Sequence, residues 1–177
     1  MSNVKNIIIT EKRLKEMFDL LPNSEAIDGS ASFKPIFGYG DKKELNAFLK
    51  AKNLVKTRTP YPLIWLLYPY NEYHCKTNVE IERLSLILAV QTNASMGNEK
   101  RINSTFSKIL FPLLNNIKWL FTRAIIVNWD NKFELTKYPN YSEDDSATEH
   151  AGTFIWDALK FVIDVKITDD CLNKVNF

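Results

Sequence analysis

The stretch Pro60-Tyr61-Pro62-Leu63-Ile64-Trp65-Leu66-Leu67-Tyr68-Pro69 constrains the fold most. Apolar side chains occupy consecutive positions, so an extended backbone here has to be covered on both sides. Periodicity alone does not separate a buried strand from a buried helix in so short a run. The bounding prolines, the aromatic residues and the length favour a strand buried on both faces. Such a strand belongs at the centre of a sheet.

The flanking sequence divides into further elements. Leu14, Met17, Phe18 and Leu21 fall at helical spacing after Thr10, whose hydroxyl is placed to cap the helix, with Glu11 at its positive end. Pro22-Asn23-Ser24 stops it. A short strand over Ser32–Phe37 is expected to end in a turn at Gly38-Tyr39-Gly40. Asp41 and Glu44 stand three apart as a capping box for a second helix, which carries Leu45, Phe48 and Leu49 inward and closes at Asn53. After the central strand, Tyr70 to His74 reads as a solvated turn. A long strand then runs from Val79 to Thr92. Its apolar residues lie on odd positions at Val79 and Ile81 and on even ones from Leu84 to Val90, so a bulge is expected near Glu82-Arg83. A polar loop over 93–101 leads into a helical stretch, about Ile102 to Arg123, with one apolar stripe from Phe106 to Phe121. Pro112 predicts a kink there, or a second helix starting at that point. Short strands near 125–129 and 132–138 read as a hairpin. The acidic loop Ser142–Glu149 precedes a last strand in which Phe161, Ile163, Val165 and Ile167 alternate with polar residues.

Together these elements predict an α+β fold, an antiparallel sheet with helices packed mainly on one face. The 177 residues read as a single domain, with 1–54 as an N-terminal helical elaboration of a sheet-and-helix core over 55–170. The formal charge of +2, from 23 basic and 21 acidic side chains, lacks the strongly basic face that duplex nucleic acid selects. Cys75 and Cys171 do not make a disulfide framework and read as reduced, buried thiols. The first residues are too short an apolar run for a signal peptide, and no run reaches the ~20 residues of a membrane span.

No catalytic set gathers in the sequence. Gly38-Tyr39-Gly40 lacks the third glycine of a dinucleotide fingerprint, because Lys43 stands there, and no Gly-Lys-Ser/Thr follows. His74, Cys75, His150 and Cys171 lack the paired spacing of a zinc site. Glu143, Asp144, Asp145 and Glu149 lack the ligand alternation of a calcium loop. The expectation is therefore no catalytic residue, no cofactor and no metal.

The order of elements, with the phrases TPYPLIWLLYP, VEIERLSLILAVQT, INSTFSKILFPLLNNIKWLF and FIWDALKFVIDVKI, resembles the tail-terminator and neck-ring (head-to-tail connector) proteins of tailed bacteriophages, including crAss-like phages of Bacteroides hosts. The resemblance covers about residues 55–170 and includes the Trp156-Asp157 pair. It implies a structural virion protein, not an enzyme, assembled in the host cytoplasm. It further implies a homo-oligomeric ring that contacts neighbouring connector or tail rings, with passive contact to DNA in the channel and none to membrane. The residues themselves suggest where copies meet: the 93–101 loop (Asn93, Asn98, Lys100, Arg101), the acidic loop (Glu143, Asp144, Asp145), and Tyr70 with Tyr73. Opposite charge on the two loops suits adjacent copies. Two other classes stay open at this point. One is a small cysteine- or acid-dependent hydrolase, with Cys75 or an acidic pair meeting His150; the other is a monomeric protein-binding adaptor.

Overall fold

A computed structural model describes residues 7–25, 32–54, 62–93, 95–124, 126–139 and 154–168. It shows an α+β fold with three helical runs and a seven-stranded, mostly antiparallel sheet. Helix α1 spans Thr10–Phe18 and α2 spans Lys42–Leu54. The third run, α3, passes without a break through Asn98–Arg101, Ile102–Leu110 and Phe111–Arg123. The strands are β1 (Ser24–Glu25), β2 (Ser32–Phe33), β3 (Ile36–Gly40), β4 (Leu63–Leu67), β5 (Asn71–His74), β6 (Asn78–Asn93), β7 (Val127–Asn128), β8 (Glu134–Tyr138) and β9 (Phe154–Thr168). β1 and β2 form a small separate ribbon.

The sheet is built on the antiparallel pair β6 and β9, which share a ladder along nearly their whole length. β4 and β5 pair with the outer side of β6, and β7 and β8 with the outer side of β9. β3 lies outside β4 and parallel to it, joined by the α2 crossover that a parallel pair requires. The sheet is therefore mixed rather than wholly antiparallel. Residues 1–54 supply this edge strand and two of the helices.

β4 is buried at all five positions, as its composition predicts. Ile64 and Leu66 enter the larger core beneath α1 and α3, while Leu63, Trp65 and Leu67 enter a smaller one beneath α2. Two helical runs thus cover one face and α2 covers part of the other. Asp41 and Glu44 form the predicted box, each backbone N–H donating to the other's carboxylate at 2.8 Å. The helix runs one residue past Asn53.

Several local readings change. Thr10 is the first helical residue and not the cap: Ile9 holds that place, its carbonyl accepting the Arg13 N–H, and the buried Thr10 hydroxyl has no hydrogen-bond partner among the described residues. The strand expected over Ser32–Phe37 is interrupted at Lys34-Pro35, where proline withdraws a donor, and it then continues through both glycines. Those glycines make room where a turn was expected. A Cβ at Gly38 would lie 2.7 Å from two ring carbons of Trp65. Gly40 has φ +147°, and a Cβ there would meet the Glu44 carboxylate at 2.2 Å.

Residues 71–74 form strand β5, and the turn falls after it, closed by the Cys75 N–H donating to the Asn78 carbonyl at 2.8 Å. The bulge is where the phase flip predicts it, between Ile81 and Leu84, with Arg83 at φ 55°. The freed Arg83 amide donates to Asp164 Oδ1 at 2.7 Å, so this donor keeps a partner. β7 and β8 do not form a hairpin. Each pairs with β9 at a different level, and together they act as one interrupted edge.

The stripe from Phe106 to Phe121 is buried as read, yet Ile102–Leu110 is π-helical. The Phe111 N–H donates to the Phe106 carbonyl, five residues back. Pro112 follows at once, in the first turn of the α segment. There the missing N–H interrupts the fewest bonds, so the chain changes pitch instead of dividing into two helices.

Candidate functional site

Two kinds of surface on the sheet are candidates for function: its edges, and a cleft beside one of them. β3 and the β7/β8 pair lie at opposite ends of the strand order, and each has strand partners on one side only among the described residues. The edges differ chemically. β8 is largely exposed and carries Glu134 and Lys137; Glu134 takes a two-pronged hydrogen bond from the Arg83 guanidinium at 2.8 and 3.0 Å. β5, also at an edge, carries Glu72 and His74. β3, Ile-Phe-Gly-Tyr-Gly, has no charge at all and exposes Tyr39 by about half.

The ladder shows which β3 groups point outward. The Ile36 N–H donates to the Pro62 carbonyl and the Gly40 carbonyl accepts the Tyr68 N–H. Residues 36, 38 and 40 therefore direct their amides at β4, and Phe37 and Tyr39 direct theirs away from the sheet. An uncharged edge with outward amides is a template for another strand, and charges are the usual device against such pairing.

Beside this edge lies an open cleft of about 680 Å³, formed by the start of α1 and the β4–β5 connection. Its walls include Ile7, Ile9, Glu11, Tyr68, Tyr70 and His74. Both tyrosine hydroxyls donate to Glu11 Oε1, Tyr70 at 2.6 Å. His74 Nε2 lies 2.8 Å from Glu72 Oε2. Rings step from the core toward the cleft: Phe18 to Phe37, Phe37 to Tyr39, Tyr39 to Tyr68 and Tyr68 to Tyr70, with centroids 5.2 to 6.2 Å apart.

Burial acts to raise the Glu11 pKa, but hydrogen bonds from Tyr68, Tyr70 and its own backbone N–H outweigh that and hold it below the usual carboxylate range. Burial, then the bond to Glu11 and its charge, push both tyrosines up, so they stay neutral donors. A folded-state pKa below the unfolded one adds stability above the unfolded value and loses it as pH falls through the folded value. The wild type should thus lose more stability than Glu11→Gln between neutral pH and the acid side of the carboxylate range. Urea unfolding at a series of pH values checks this, and parallel curves would contradict it.

The residues picked out in the sequence are redistributed. The 93–101 segment is not one polar loop, because α3 begins at Asn98. Asn98 and Lys100 are exposed on its first turn, whereas Asn93 ends β6. Arg101 is no surface contact: it is 5% exposed and its Nη1 donates to buried Asp157 Oδ1 at 2.6 Å, with Nε donating to the Met96 carbonyl at 2.8 Å. Glu143, Asp144, Asp145, His150, Cys171 and the acidic loop as a whole lie outside the described residues, as does Tyr61. Tyr70 and Tyr73 part company. Tyr70 is half-buried on Glu11, while Tyr73, three residues on in β5, is exposed. Cys75 is exposed and free, not buried, because it begins the β5–β6 turn.

Sequence reading missed Tyr39, Glu11 and Tyr68 as site residues. Tyr39 sits between glycines in a strand without charge, and that was its signal. Glu11 gave none beyond its favourable place at a helix start, because its tyrosine partners lie 57 and 59 residues away. No family model matches the chain, and no curated protein matches it.

Proposed function

We propose that the chain is a structural ring protein of a phage head-to-tail connector or tail, assembled head-to-tail through its sheet edges. The reading joins the order of elements to one structural observation: the uncharged β3 edge, with outward amides at Phe37 and Tyr39 and a half-exposed tyrosine, at the opposite end of the sheet from β8. Contact between two different edges is heterologous, and a heterologous contact closes into a ring when the rotation per subunit divides a full turn. In this arrangement β8 of one copy adds to β3 of the next, so main-chain hydrogen bonds supply affinity and the side chains along the two edges set register. The exposed first turn of α3, with Asn98 and Lys100, is then available to a neighbour or to the ring above or below.

Tyr39→Pro tests the edge. It removes an outward donor and leaves the β3–β4 ladder its own amides. The variant should keep the wild-type circular dichroism spectrum and lose the oligomeric band on a native gel. Equal oligomerisation by the two proteins would refute pairing through β3.

A further inference from the structure

We infer that the cleft between α1 and the β4–β5 connection is a docking site for an arginine or lysine side chain of a partner protein. Glu11 and Glu72 line the cleft, with His74 beside Glu72, and no lysine or arginine lines it among the described residues. Tyr68 and Tyr70 both donate to one oxygen of Glu11, so the carboxylate is fixed in place, and neither hydroxyl engages Oε2. The two rings, 5.4 Å apart, both line the cleft next to that charge. A carboxylate beside aromatic faces is the environment that a guanidinium or ammonium group favours.

Two further features bear on the occupant. Thr10 is among the residues lining the same cleft; it is 1% exposed, and its buried hydroxyl has no hydrogen-bond partner among the described residues. Buried polar atoms normally have a partner, and a donor arriving in the cleft would supply one. Ile7 and Ile9 flank the opening at 78% and 56% exposure. A free amine would leave both in water, whereas a polypeptide carrying the cation would cover them. Arginine and lysine also bring an aliphatic stem suited to the apolar wall of Ile8 and Pro69.

The inference concerns the isolated chain and does not depend on ring formation. Its test is a titration of the full chain with capped tripeptides, glycine-X-glycine, where X is arginine, lysine or norleucine, followed by backbone amide shifts. The arginine and lysine peptides should move the signals of residues 9–11 and 70–72 saturably, with norleucine giving no saturable shift. Glu11→Gln should weaken arginine-peptide binding about tenfold, the loss expected when a charged hydrogen-bond partner is neutralised. Should Glu11→Gln fail to fold, Glu72→Gln on the other wall carries the same expectation of weaker binding. Equal binding of the norleucine peptide, or the absence of a saturable shift with arginine, would overturn the site. Butylguanidinium binding as tightly as the arginine peptide would overturn a protein source for the cation.

Discussion

Arg101→Ala should lower folding stability by about 3–5 kcal/mol, the usual cost of leaving a buried charge without its partner. Arg101 and Asp157 are 5% and 0% exposed, and the 2.6 Å contact joins the first turn of α3 to the start of β9. Truncation removes the guanidinium from a fully buried Asp157 carboxylate, which stands opposite Val90 in the ladder. Total stability for a domain is about 5–15 kcal/mol, so the variant should populate unfolded chains measurably at room temperature. The double replacement Arg101→Met with Asp157→Leu should recover most of the loss, because removing both charges also removes the desolvation cost. Urea unfolding of the three proteins decides. A loss below about 1 kcal/mol, the range of exposed pairs, would mean that water reaches the ion pair in solution.

Trp65→Ala should cost about 3–5 kcal/mol and lower Tm by roughly 6–20 °C. The indole fills the space that Gly38 leaves open, packs against Phe48 at a centroid distance of 5.5 Å, and donates from Nε1 to the Gly40 carbonyl at 3.1 Å. It therefore helps anchor α2 to the sheet, in the core that Leu45 and Leu49 also enter. Proteolysis should consequently cut α2 faster in the variant than in the wild type. Trp65→Phe keeps most of the apolar contact and should lose far less. If alanine and phenylalanine melt together, Trp65 does not hold α2 in place.

Local chemistry made the central strand, the capping box of α2, the bulge near Arg83 and the inward faces of all three helices legible. Each depends on residues close in sequence or on a strict two- or 3.6-residue period. The misread elements depend on distant partners. Nothing near Gly38 announces that Trp65, 27 positions on, lies across it, so the glycines read as a turn. Tyr70 to His74 looks wet because Asn71, Glu72 and His74 are polar, yet residues 71–74 pair with Glu82, Ile81, Glu80 and Val79 of β6. Arg101 looks like a surface cation until Asp157, 56 residues later, arrives beside it. β7 and β8 look like each other's partners because adjacent strands usually pair, yet β9 is long enough to take both. The cleft was the least visible feature, since two segments about 57 residues apart form it.

Pairing between unlike sheet edges of sister molecules is the claim on which the functional reading rests. Negative-stain electron microscopy of the purified chain over a range of concentrations, with Tyr39→Pro beside it, tests that claim most directly. The account predicts closed rings of one rotational symmetry for the wild type and single chains for the variant. Single chains from both proteins at every concentration, or identical rings from both, would contradict it.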